Sequence, residues 1–207
     1  HVIGNIFDKV QTKVYHMLSY KVDDTIDSHY DQNALLKENI VVDDIVFINE
    51  YPKKVNDYSP FSLFYSTTLN YNGNEYPSVY HMCSSNGVLP QYRKEFNSSS
   101  DLLRDDKDVF RWAYNMSKLM TKTTIKFEKY PIIKNDLTYN DYFNDLKSVL
   151  KSYLEQYPEY IEKLKQTGDK YIAYSCIDKK NNYLGCTHNN SNLYGFNLVG
   201  KYLMELR

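Results

Sequence analysis

Apolar residues recur at helical spacing along much of this chain. Ile3, Ile6, Phe7, Val10, Val14, Met17 and Leu18 keep an i, i+3, i+4 rhythm. That rhythm predicts an amphipathic N-terminal helix of about four to five turns. Leu103, Val109, Phe110, Ala113 and Met116 form part of a face within a predicted helix over Leu102 to Met120. Asn140 to Glu155 repeats the pattern through Phe143, Leu146, Val149, Leu150 and Tyr153. Pro158, which suits the first turn of a helix, opens another that ends near Gly168. Beyond Gly195, the side formed by Leu198, Val199, Tyr202, Leu203 and Leu206 predicts a closing helix that docks on a core.

Strand and turn signals fill the intervals. Ile45-Val46-Phe47-Ile48 is an apolar run flanked by acids and reads as a buried strand. Asn72-Gly73 within Leu69 to Tyr76 predicts a hairpin with a tight turn. Ser78 is placed to cap a helix that cannot run far past Gly87, with Pro90 blocking it. Asn97 to Asp101 is a turn cluster, Thr121 to Tyr130 a partly alternating strand, and Tyr171 to Tyr174 a further strand. Asp23 to Asn39 reads as irregular with a short helix near Ala34 to Lys37, Tyr51 to Pro60 as loop, and Asp178 to Asn192 as a polar loop. No internal repeat interrupts this order.

Three motifs narrow the fold. Phe61-Ser62-Leu63-Phe64 precedes Leu69 to His81, a stretch with Asn72-Gly73-Asn74 and then Tyr76-Pro77-Ser78-Val79-Tyr80-His81. Thr167-Gly168-Asp169-Lys170-Tyr171-Ile172 precedes Asp178 and Gly185. The chain closes on Gly195-Phe196-Asn197-Leu198-Val199-Gly200, followed by Leu203-Met204-Glu205 and Arg207. In order and rough spacing this set resembles the NADAR (YbiA-like) N-glycosidase family, over roughly two-thirds of the chain from near Asp44. The resemblance implies an α+β single domain, mostly helical around a small β-sheet. Residues 41–207 would form that domain, with an insertion near 100–138 and an N-terminal helical extension over 1–40. It also implies N-glycosidase chemistry on riboflavin-pathway intermediates or ADP-ribosylated guanine. In the family a glutamate before the histidine, and a lysine later on the same helix, serve the leaving nitrogen and the electron-poor sugar carbon.

The sequence departs from the family at those positions. Tyr80 stands for the glutamate, Gly87 for the lysine, Ser84 for a nearby glutamine, Leu63 for the asparagine of F-S-N-F, Ala173 for an acid, and Leu184 for a tryptophan. A tyrosine, with its ordinary pKa of about 10, and a glycine cannot stand in for a carboxylate and an amine. The expected protein is therefore catalytically degenerate and acts in binding or assembly, as a viral structural or accessory component for example. Two alternatives stay open. One is an active N-glycosidase using Asp178 and His81 in relocated roles. The other is a module that binds a nucleotide or an ADP-ribose-type ligand. Ser62, Tyr80, Gly185 and Asn197 are the ligand-binding candidates. Tyr80 has the competing reading of core filling, Asp178 of a turn residue, His81 of a backbone bridge, and Asn197 of an organiser of the last loop.

Composition adds bounds. With 25 basic and 26 acidic residues, the chain carries no basic nucleic-acid footprint. Its 22 tyrosines reflect either AT-rich coding or a tyrosine-rich contact surface. The three cysteines do not describe a disulfide framework, which places the protein in the cytoplasm or in a virion made there. Cys176, Cys186 and His188 lack metal-ligand spacing, so no metal and no cofactor is expected. No apolar stretch reaches membrane-spanning length and no signal peptide is visible, so no membrane partner is expected. Residues 1–40 pack on the domain or receive a protein partner.

Overall fold

The structure, a computed structural model, describes residues 35–36, 44–50, 54–86, 90–100, 139–175, 184–189 and 192–207. They fall into two compact units. One lies within Ser66–Val149, and the other is drawn from Asp24–Tyr65 and Leu150–Arg207.

In the first unit, β3 (Leu69–Tyr71) and β4 (Asn74–Tyr76) pair antiparallel, with Leu69 opposite Tyr76. The turn between them places Asn72 at φ 49° and Gly73 at φ 78°. Both central residues of a type I′ turn need that left-handed backbone, which asparagine and glycine tolerate best. Helix α1 (Val79–Asn86) follows, capped as expected: the His81 N–H donates to Ser78 Oγ at 3.1 Å. A 3-10 helix over Pro90–Phe96 packs against α1. It ends in a turn where Asn97 Oδ1 accepts from the Ser99 N–H and hydroxyl at 3.1 and 2.6 Å.

In the second unit, β2 (Ile45–Asn49) and β5 (Tyr171–Ser175) pair in parallel, from Ile45 opposite Tyr171 to Asn49 opposite Ser175. Val46 and Ile48 are buried from β2, and Ile172, Ala173 and Tyr174 from β5. A β5 buried on successive residues fits a parallel strand covered on both faces. β1 (Leu35–Leu36), β7 (Asn192–Tyr194) and β6 (Thr187–Asn189) form an antiparallel sheet in that order. A parallel bridge between Ser175 and Cys186 ties it to β5. Ala173, Cys186 and Leu193 form a core cluster, flanked by Ile45, Phe47 and Tyr171. Helix α2 (Tyr139–Gln156) belongs to the first unit up to Val149 and to the second from Leu150, and buries Leu146, Val149, Leu150, Tyr153 and Leu154, an i, i+3, i+4, i+7, i+8 stripe. Each leucine and valine among them contributes about 1.5–3 kcal/mol when fully buried. α3 (Pro158–Gln166) has Pro158 in its first turn, and α4 (Leu198–Leu206) packs on β5 through buried Val199 and Leu203.

The α+β class stands, and two local expectations do not. Leu35 and Leu36 form a strand, not a helix, paired with Tyr194 and Leu193. Two consecutive leucines carry no period, so a distant partner strand decides their conformation. The stretch read as polar loop, Asp178 to Asn192, contains β6 and the first residue of β7, the two strands being joined by pairs from Thr187–Tyr194 to Asn189–Asn192. Thr-His-Asn and Asn-Leu-Tyr lack the β-branched runs that mark strands, and the ladder overrides that. The N-terminal helix, the elements expected over 102–130, and Gly87 lie outside the described residues.

Candidate functional site

Helix α1 carries the polar positions of the first unit. Ser84 stands four residues after Tyr80 and three after His81, so it neighbours both on the helix surface. All are buried: Tyr80 is 2% exposed, His81 1% and Ser84 0%. His81 Nδ1 lies 2.5 Å from Ser78 Oγ, which also accepts the His81 N–H. Burial pushes the His81 pKa well below its usual 6.5, because the charged ring loses its hydration. The ring is therefore neutral, and its Nδ1 shares one hydrogen bond with the Ser78 hydroxyl. His81 thus closes a cap within its own helix turn. The Ser84 hydroxyl has no hydrogen-bond partner among the described residues. The Cys83 pKa is pushed upward by burial and then by the Asp145 charge, so its thiol stays protonated.

The second unit holds Ser62, Gly185 and Asn197. Ser62 Oγ donates to the Glu50 carbonyl at 2.7 Å and accepts from the Phe64 N–H at 3.2 Å. Asn197, wholly buried with φ 51°, spends its amide on β5: Oδ1 accepts the Tyr174 N–H at 2.9 Å, and Nδ2 donates to the Ile172 carbonyl at 2.8 Å and the Tyr171 hydroxyl at 3.1 Å. The Gly185 carbonyl accepts the Asn197 N–H at 3.0 Å. All three residues organise backbone. Arg207 does likewise, donating to Thr167 Oγ1 at 3.1 Å and the Lys170 carbonyl at 2.6 Å. Asp178 lies outside the described residues.

Two participants escaped the sequence reading. Glu50 is 3% exposed, the one buried acid among the described residues. It follows the C-terminal end of β2, and its N–H donates to the Ser175 carbonyl at 3.1 Å. The Tyr174 hydroxyl donates to Glu50 Oε1 at 3.3 Å and accepts the Leu63 N–H at 3.1 Å. This network holds the Phe61–Phe64 motif from one side. Tyr153 holds it from another, its hydroxyl donating to the Pro60 carbonyl at 3.0 Å, while Phe61 meets Tyr160 edge-on at 6.2 Å. An acid two residues after an apolar run was the visible signal for Glu50, but its side-chain partner Tyr174 lies more than a hundred residues away. No group of three or more His, Cys, Asp or Glu side chains that could hold a metal occurs among the described residues. Nor is any described helix long and apolar enough to cross a membrane.

This arrangement defines an α+β domain of the YbiA-like fold. The particular likeness is to the solution NMR structure of YbiA from E. coli, with a TM-score of 0.53 and 21% identity, over 86% of this chain and 91% of that one. No family model and no curated protein sequence matches the chain. The likeness is one of fold, and it agrees with the family that the motifs resemble.

Proposed function

We propose that this chain is a YbiA-like domain that has lost N-glycoside hydrolysis and works by binding or assembly. One observation carries the reading. Helix α1, Val79–Asn86, holds no charged side chain, and Tyr80, in place of the family's glutamate, is buried among the core residues. That helix offers no carboxylate to deliver a proton to a leaving nitrogen and no amine to capture an electron-poor carbon. Ser62, Gly185 and Asn197 are occupied in holding backbone, which fits retention of a scaffold. The ligand that suits this fold is a nucleotide or an ADP-ribose-type molecule, and residues 1–40 remain the segment for a protein partner. Free thiols on Cys83 and Cys186 accord with a reducing cytoplasm or a virion assembled there.

Glu50 favours a second reading, an active N-glycosidase with a relocated acid. Incubation with ADP-ribosylated guanine DNA and with the ribosylaminouracil of riboflavin synthesis separates the two. The first reading expects no base release from either substrate. Release that vanishes in Glu50→Gln or Asp178→Ala, with the fold intact by circular dichroism, establishes the second.

A further inference from the structure

The Ser84 hydroxyl is fully buried on α1 without a partner among the described residues. Arg93 sits half-buried on the 3-10 helix that packs against α1. Its Nε is cut off from solvent and also lacks a partner among the described residues. Leaving a buried donor unsatisfied costs about 1–3 kcal/mol, and more when the group is charged. A folded chain resolves such groups with water, an ion or a ligand. α1 contains no acid, and the 3-10 helix has one, Glu95, two residues after Arg93. Asp145 faces Cys83 and accepts from Asn86 Nδ2 at 3.4 Å. A guanidinium edge shielded from water matches an oxyanion, since its fork donates two parallel hydrogen bonds.

We propose that an oxyanion of the phosphate class binds where the 3-10 helix meets α1, held by the Nε–Nη edge of Arg93, with the Ser84 hydroxyl as a further donor. Free phosphate and the phosphate of a nucleotide sugar share this chemistry. The site does not depend on whether hydrolysis was lost, because its occupancy is read without turnover and either idea can fail alone.

The test is thermal unfolding of the full chain against inorganic phosphate, at constant ionic strength with chloride as control. Wild type should show a saturable rise in Tm. Arg93→Met should need roughly tenfold more phosphate or lose the response, and Arg93→Lys, which lacks the fork, should fall between. Ser84→Ala should weaken the response while leaving the phosphate-free protein as stable or slightly more so. It also serves as the readout if Arg93→Met does not fold. Competition of ADP-ribose with phosphate assigns the source to a nucleotide sugar, and a response to phosphate alone assigns it to the free anion; both support the site. A flat wild-type titration overturns it, as does a response that survives in both Arg93→Met and Ser84→Ala, or one that adenosine reproduces without any phosphate.

Discussion

The Asn197 amide accepts the Tyr174 N–H and donates to the Ile172 carbonyl, the groups that a neighbouring strand would satisfy on that edge of β5. Replacing it with alanine strands both backbone groups in the core. Asn197→Ala should therefore lower the unfolding free energy by about 2–4 kcal/mol in urea denaturation. Asn197→Asp, which keeps only the acceptor, should be destabilising as well. His81 sets a pH dependence. Its folded pKa is depressed below 6.5 by burial, so the unfolded chain takes up a proton first as pH falls. Stability should be level above that pH and decline below it, and His81→Gln should flatten the decline in Tm measured from about pH 8 to about pH 5. The thiols follow the same reasoning. Burial raises Cys83, and pushes Cys186 up to about 12. In a Cys176→Ser background, both should resist Ellman's reagent near neutral pH until denaturant is added.

Two glycines matter at the scale of elements, for different reasons. Gly73 needs its positive φ and has open space around it, so Gly73→Ala should cost about 1–2 kcal/mol from backbone strain alone. Gly200 sits where α4 meets β5, and a Cβ there collides with the Asn197 side chain and the Ile172 carbonyl. Gly200→Ala should exceed the cost of Gly73→Ala in the same urea assay, because a backbone carbonyl cannot swing aside. Helices such as Tyr139–Gln156 and Leu198–Leu206 were legible because their buried stripes repeat over several turns. The hairpin at Asn72-Gly73 was legible because its turn has a local chemical signature. β1, β6 and β7 were not, since two or three residues of mixed polarity become strands only through distant partners. The site shows the same division. Ser78 capping α1 was readable from adjacent residues, whereas Glu50 meeting Tyr174, and Asn197 meeting β5, required the fold.

For the molecule as a whole, the proposed reading is that the motifs resembling the N-glycosidases persist mainly as architecture. Phe61–Phe64 is clasped by Glu50, Tyr174 and Tyr153, the hairpin leads into a capped α1, and the closing helix is keyed to β5 by Asn197 and Gly200. α1 carries no Asp, Glu, Lys or Arg. The most direct test is a single-turnover reaction with the protein in molar excess over ADP-ribosylated guanine DNA, so that even slow chemistry is seen and product release cannot limit it. The account predicts that the modified base stays intact at the rate of buffer alone. Appearance of free ADP-ribose faster than that, abolished by Glu50→Gln or Asp178→Ala in folded protein, would contradict it.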